Sequence, residues 1–353
     1  MRIAALGTGC SAAVVLAEIL LRVLQLSPSQ AVGTVTEAEF SRYPGLFTPG
    51  QELLSLEKPA LPYQVRINSL GYRGEDFLAH KPSGEFRVLT VGDSFTYGDF
   101  VDNDETLPAR LELGLRRLCG AVTVINGGVG GTTLLTHQAI VDRALHLDPD
   151  LVLLIFSEND IGDLADPMLL SLAENRRRKS RFPLRFVYPL LRHTAIWNFA
   201  LNVRARLAAQ ARDRELDVGP GVFRERADLE PSAKRREQRK SSLRAEYARR
   251  LDELQSALAA AKVPFALAIY PSHHSVSDSH AREQLEWLSG IGKHLGIDSV
   301  SLLDVLEATG EPIDALYLLP WDGPPSPLGY SLSADELLRR LNWAGYSAGD
   351  CDQ

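Results

Sequence analysis

The chain has 353 residues and a mass of 38.8 kDa, enough for two domains or for one large α/β domain with additions at roughly 100–200 residues per domain. Hydrophobic residues make up 45% and charged residues 24%, values that exclude a disordered chain and a polytopic membrane protein. The formal net charge of -7 excludes nucleic acid as the main partner, because neutralising phosphates requires a basic face.

Three cysteines, Cys10, Cys119 and Cys351, lie far apart with no CxxC and no histidine at ligand spacing. Neither a zinc site nor a disulfide framework is predicted from that spacing, and no cofactor is implied. From Ile3 to Leu26 an apolar stretch follows Arg2, interrupted by Glu18 and Arg22, which stand one helical turn apart and are placed to pair. The run is long enough to cross a bilayer. Segment 1–26 is therefore expected to be a retained membrane anchor or a cleaved signal, the alternative being an amphipathic helix packed on the protein's own core. Either membrane reading puts the remainder outside the cytoplasm: anchored at the cell membrane, or secreted or periplasmic after cleavage. Residues 27–84, rich in Pro, Gly and Ser, read as a stalk and irregular lead-in. Within them Val65 to Asn68 alternates like a short strand.

After Gly84 strand and helix patterns alternate over residues 85–345. Phe86 to Val91 reads as a strand, Leu107, Leu111, Leu115 and Leu118 stripe a helix, and Val122 to Ile125 is a second strand. A helix over Thr133 to Leu147 follows, then strands at Leu151 to Phe156, Phe265 to Tyr270 and Val300 to Leu303. Such alternation predicts α/β architecture: a parallel sheet of about five strands with helices on both faces. The last helix is expected to begin at Ser333, with Glu336 closing a capping box. About a hundred residues separate the third and fourth strands, far more than one crossover helix needs, so an inserted helical cap is predicted across 163–240. Leu243, Tyr247, Leu251, Leu254 and Leu258 then carry the crossover helix into the fourth strand. The basic cluster Arg176 to Lys179 reads as a solvated face or a contact for anionic lipid or substrate.

Chemistry is concentrated at the strand ends. Gly92-Asp93-Ser94-Phe95-Thr96-Tyr97-Gly98 follows the first strand directly and puts a serine at the carboxyl edge, where open α/β sheets bind ligands. The competing reading is a turn serine that only caps a helix. The second strand ends in the glycine-rich turn Asn126 to Thr133, where backbone can approach a substrate closely. It is not a dinucleotide fingerprint, because the sixth place counted from Gly128 is Thr133 rather than glycine. Ser157-Glu158-Asn159-Asp160 ends the third strand and offers a side-chain amide to an oxygen becoming negative.

These three blocks, in this order after successive strands, resemble the SGNH (GDSL) hydrolase family across residues 86 to 342. The resemblance implies a flavodoxin-like three-layer α/β/α sandwich and cleavage of carboxylic esters. It implies Ser94 as nucleophile and oxyanion N–H donor, Gly131 as a second N–H donor and the Asn159 amide as a third, with Gly92, Asp93 and Asp160 in support. Asn68-Ser69-Leu70-Gly71-Tyr72-Arg73-Gly74 also looks like a lead-in of membrane-anchored bacterial members. The family's fourth block needs an aspartate followed closely by histidine. Here it is Asp322-Gly323-Pro324-Pro325-Ser326-Pro327-Leu328-Gly329, where register on the trailing Pro, Ser and Gly puts Pro324 in the place of the histidine, the looser spacing would choose Pro325, and no histidine follows His294. Asp322 is then the acid of an incomplete pair.

His273 and His274, after the fourth strand, are possible substitute bases, against a solvated polar loop or a metal site with Asp278. Three functions remain open. One is a serine ester hydrolase or O-acyltransferase acting on an acylated small molecule or on an acylated envelope or secreted glycan or lipid. The second is a degenerate relative that binds such a ligand or a partner protein. The third is a metal-dependent phosphoesterase on Asp93, Asp160 and Asp322.

Overall fold

A computed structural model describes residues 2–24, 45–47, 49–55, 62–164, 194–196, 199–200, 203, 233–277, 282–319, 323–347 and 351. The chain divides into two compact units. The first, Met1–Glu37, Gln51–Val65 and Leu170–Leu229, carries helix α1 (Arg2–Val23). Strand β1 (Glu52–Ser55) pairs with β2 (Tyr63–Arg66) in a small two-stranded sheet. On α1, Glu18 and Arg22 form the pair that their spacing suggested, at 2.8 Å. The Glu18 carboxylate also accepts the backbone N–H groups of Ala195 and Ile196 at 2.7 and 3.0 Å. The anchor expected here finds no support, since among the described residues no helix is long and apolar enough to cross a membrane.

The second unit, Ala38–Gly50, Arg66–Leu169 and Glu230–Gln353, contains the large sheet. Its strands are β3 (Phe86–Gly92), β4 (Val122–Gly128), β5 (Leu151–Ser157), β6 (Phe265–Tyr270) and β7 (Asp298–Ser301). They lie in the order β4-β3-β5-β6-β7, every neighbouring pair parallel. Each residue of β3, β4, β5 and β6 is buried, as a sheet covered on both faces requires. This is the α/β architecture of the SGNH hydrolase fold, with the five parallel strands that the alternation predicts.

Along each strand the side chains divide between two cores. Val88, Val124, Leu153, Ala268 and Val300 belong to one cluster, closed by α3 (Leu107–Cys119) and α11 (Pro327–Arg340) through Leu111, Leu115 and Leu337, with Leu341 just past the end of α11. On the other face Phe156 meets the Tyr247 ring of α6 (Ala233–Ala261) edge-on, with centroids 5.5 Å apart. The helices between are α2 (Ser94–Tyr97), α4 (Leu134–Ala144) and α5 (Asn159–Asp163), followed after β6 by α7 (His273–Ser277) and α8 (Glu283–His294). After β7 come α9 (Leu303–Ala308) and α10 (Ile313–Leu316), and α12 (Trp343–Tyr346) closes the series.

Three expectations need correcting. The final helix does not start at Ser333: Ser326 caps α11, its hydroxyl accepting the Gly329 N–H at 3.1 Å. Pro327 fits the first turn, where a missing N–H costs nothing, and Ser333 sits mid-helix, donating to the Gly329 carbonyl at 2.7 Å. The last strand ends at Ser301, because the apolar run from Val300 to Leu303 spans a strand end and a helix start. Cys119 and Cys351 form a disulfide across 232 residues of sequence. Spacing alone gives no sign of it, because a pairing made by the tertiary fold leaves no local pattern. Most of the predicted cap, and the basic cluster 176–179, fall outside the described residues.

The lead-in Asn68 to Gly74 packs against the sheet's β4 edge, where Arg73 makes an antiparallel bridge with Asn126. Asn68 folds it into a tight turn: its Oδ1 accepts the N–H groups of Leu70 and Tyr72, both at 3.0 Å, and its amide donates to the Glu75 carbonyl at 2.9 Å. Farther along the same edge, the Val124 N–H donates to the Glu112 carboxylate at 2.7 Å.

Candidate active site

Strand β3 stops at Gly92 because helix α2 starts against it. A Cβ there would stand 2.0 Å from Thr96 Oγ1 and 2.6 Å from the Ile155 carbonyl, so only glycine allows so tight a strand-to-helix turn. Asp93, almost fully buried, holds the turn. Its Oδ1 accepts the Phe95 N–H at 2.9 Å and its Oδ2 accepts the Ser157 hydroxyl at 2.7 Å. One carboxylate thus joins the turn after β3 to the end of β5. Ser94 opens α2 and is only partly buried, and its hydroxyl makes no hydrogen bond among the described residues. Gly98, at φ 89°, ends the helix by donating to the Ser94 carbonyl at 2.8 Å.

The turn after β4 interlocks with the same segment. The Val129 N–H donates to the Gly92 carbonyl at 3.1 Å. A Cβ on Gly128 would lie 2.1 Å from the Tyr97 nitrogen, so backbone here rides directly on backbone. Asn126 bridges the two, its Oδ1 accepting the Gly128 N–H at 3.0 Å and its amide donating to the Tyr97 carbonyl at 3.2 Å. Gly131 lies beyond, exposed and at φ 65°, a left-handed conformation that favours glycine. Next to it the Thr132 hydroxyl donates to the Val129 carbonyl at 2.6 Å and stands 3.2 Å from Nε2 of His137 on α4. The only hydroxyl proton being so used, Nε2 carries the hydrogen of that contact. His137 is fully buried, and loss of solvation pushes its pKa down to about 3.

Asn159 begins α5 at the carboxyl end of β5, and Asp160 beside it is buried, its Oδ2 accepting the Ser157 N–H at 3.4 Å. Ser94, Gly131 and Asn159 therefore stand on turns at one edge of the sheet, and the Asp93–Ser157 and Gly92–Val129 contacts tie those turns together. The side chain of Asn159 and the whole of Asp322 fall outside the described atoms. His273 and His274 open α7, immediately past the carboxyl end of β6. Among the described residues no group of three His, Cys, Asp or Glu side chains is placed to hold a metal ion.

Sequence reasoning missed three residues that shape this edge. Arg73, buried, sends Nη1 to the Tyr97 and Gly98 carbonyls at 2.9 and 2.6 Å and Nη2 to the Val101 carbonyl at 2.6 Å. It fastens the chain just after Ser94, and its signal is its place in the lead-in motif. His137 had none beyond sitting on a helix. Glu158 accepts the hydroxyls of Ser272, at 2.6 Å, and Ser275, which flank the two histidines.

A doubly wound α/β sheet with a serine-bearing turn at its carboxyl edge defines the class. The model of the GDSL-like lipase/acylhydrolase family matches residues 90–330, and the chain belongs to that family. No curated protein sequence matches it. Among solved structures it is similar to a protein attributed to the G-D-S-L lipolytic family from Desulfitobacterium hafniense, with 15% identity, TM-score 0.43 and coverage of 72% of this chain and 99% of that one. A G-D-S-L family member from Veillonella parvula shares 13% identity at TM-score 0.41, covering 72% and 97%. Axe2, an acetylxylan esterase from Geobacillus stearothermophilus, shares 15% at TM-score 0.42, covering 73% and 94%.

Proposed function

We propose that this protein is a serine ester hydrolase that removes an acyl group from an O-acylated glycan, lipid or small molecule through an acyl-enzyme on Ser94. The observation that carries the reading is the turn after β3, where a buried aspartate fixes the backbone on either side of a partly exposed serine. In the proposed reaction Ser94 Oγ attacks the acyl carbonyl. The N–H groups of Ser94 and Gly131 and the Asn159 amide hold the negative oxygen, and water or an acceptor hydroxyl releases the acyl group. Donors that need no reorganisation would suit this task, since they favour the transition state over the ground state. Transfer to an acceptor hydroxyl would make the same site an acyltransferase.

The disulfide between Cys119 and Cys351 supports a place outside the cytoplasm, because such bonds persist in oxidising compartments. Pro324 in the histidine position favours a second reading, a relative that binds acylated ligands without turnover. Labelling by a serine-directed fluorophosphonate and hydrolysis of p-nitrophenyl acetate separate the two. Both signals are expected in the wild type and absent from Ser94→Ala. Absence of both signals from the wild type favours the binding reading.

A further inference from the structure

We propose that His273 is the general base for Ser94, replacing the histidine that the family motif puts at Pro324; the assignment rests on the hydrolase reading above. The two candidate segments meet in space. Gly323, the residue before Pro324, is buried at φ 69°, and a Cβ there would stand 2.5 Å from Nδ1 of His273 and 2.9 Å from its Cε1. An imidazole from the start of α7 thus lies against the backbone of the fourth block, although the block itself supplies none.

The histidine turn is held from several sides. Ser272 and Ser275, on either side of the pair, both donate to the Glu158 carboxylate, and the Gln284 amide donates to the Glu158 carbonyl at 3.1 Å. That anchors the turn to the residue beside Asn159. The Tyr317 hydroxyl donates to the Pro271 carbonyl at 2.7 Å, with its ring centroid 6.1 Å from that of His273. Tyr270 connects this group to the nucleophile turn, its ring lying 6.5 Å from Tyr317 and 5.5 Å from Phe95, the residue after Ser94. Of the two histidines, His273 is half-buried and His274 exposed. Burial, and then the charge of His274, holds the His273 pKa below its ordinary value, so the ring is neutral and able to accept a proton at neutral pH.

In the step proposed, the imidazole takes the Ser94 hydroxyl proton as the Oγ–C bond forms. It gives that proton to the leaving oxygen as the ester C–O bond breaks. Deacylation repeats the cycle with water, whose proton passes through His273 back to Ser94 Oγ.

The test uses the full chain with p-nitrophenyl acetate turnover and the rate of fluorophosphonate labelling, with far-UV circular dichroism as the check on folding. His273→Ala and His273→Gln are expected to lower both rates by about 100-fold or more, the usual contribution of a positioned base, while His274→Ala changes them less than threefold. Adding Pro324→His to His273→Ala is expected to restore at least tenfold, which a structural role for His273 would not produce. If a folded His273 variant keeps its Ser94-dependent rates within threefold of wild type, the base assignment falls and the hydrolase reading stands. If the wild type shows no Ser94-dependent signal, both fall.

Discussion

Asp93 is a buried carboxylate whose hydrogen bonds are mapped on the turn it shapes. It draws on the Phe95 N–H and the Ser157 hydroxyl, and removing a donor leaves part of a buried charge unsatisfied, at a cost of about 2 kcal/mol. Ser157→Ala is therefore expected to lower stability to urea by about that amount. It should also slow fluorophosphonate labelling, because the turn carrying Ser94 loses its tie to β5. His137 makes a second prediction. Unfolded, it takes up a proton near its ordinary value of 6.5, but folded it stays neutral down to about 3. The unfolded chain then binds the proton first, so this part of the stability is full above pH 6.5 and is lost as the pH falls towards 3. Urea titrations between pH 6.5 and 4 are expected to show wild type losing about 1 kcal/mol more per pH unit than His137→Leu.

At the scale of the element, what was legible in sequence depended on local pattern. The continuous apolar runs of β5 and β6 gave those strands away, and Gly92-Asp93-Ser94 marked its turn because the glycine is demanded by Thr96 and Ile155 pressing on it. The start of α11 was misplaced because Ser333 and Glu336 mimic a cap, while the working cap, Ser326, hides among prolines. Arg73 is visible in sequence only as one letter of the lead-in motif; its role depends on burial, which lets its planar fork satisfy three carbonyls at once. Arg73→Ala is expected to cost about 3 kcal/mol and to raise hydrogen exchange across residues 97–101. Lysine at this position should not repair the loss, since an ammonium is a point donor and cannot fork.

For the molecule as a whole, the disulfide is the feature most easily checked. Of three cysteines, Cys119 and Cys351 are joined. Protein denatured without reductant should therefore show one thiol reactive to Ellman's reagent, and after reduction three. Reduction is also expected to lower the urea midpoint, because a cross-link closing so long a loop restricts the unfolded chain by about 5 kcal/mol in the chain-entropy view. The fold class was readable because alternating strands and helices admit few topologies. The disulfide and the meeting of His273 with Gly323 were not, because both join segments that only the folded topology brings together.

The lead-in has a practical consequence. A shortened protein starting at residue 85 would keep all five strands of the large sheet and the serine turn, yet its outermost ribbon would lose the Arg73 bridge that occupies Asn126. Bare ribbon edges recruit other chains. Such a truncation is expected to self-associate more readily than the longer protein, a difference that light scattering at matched concentration would register.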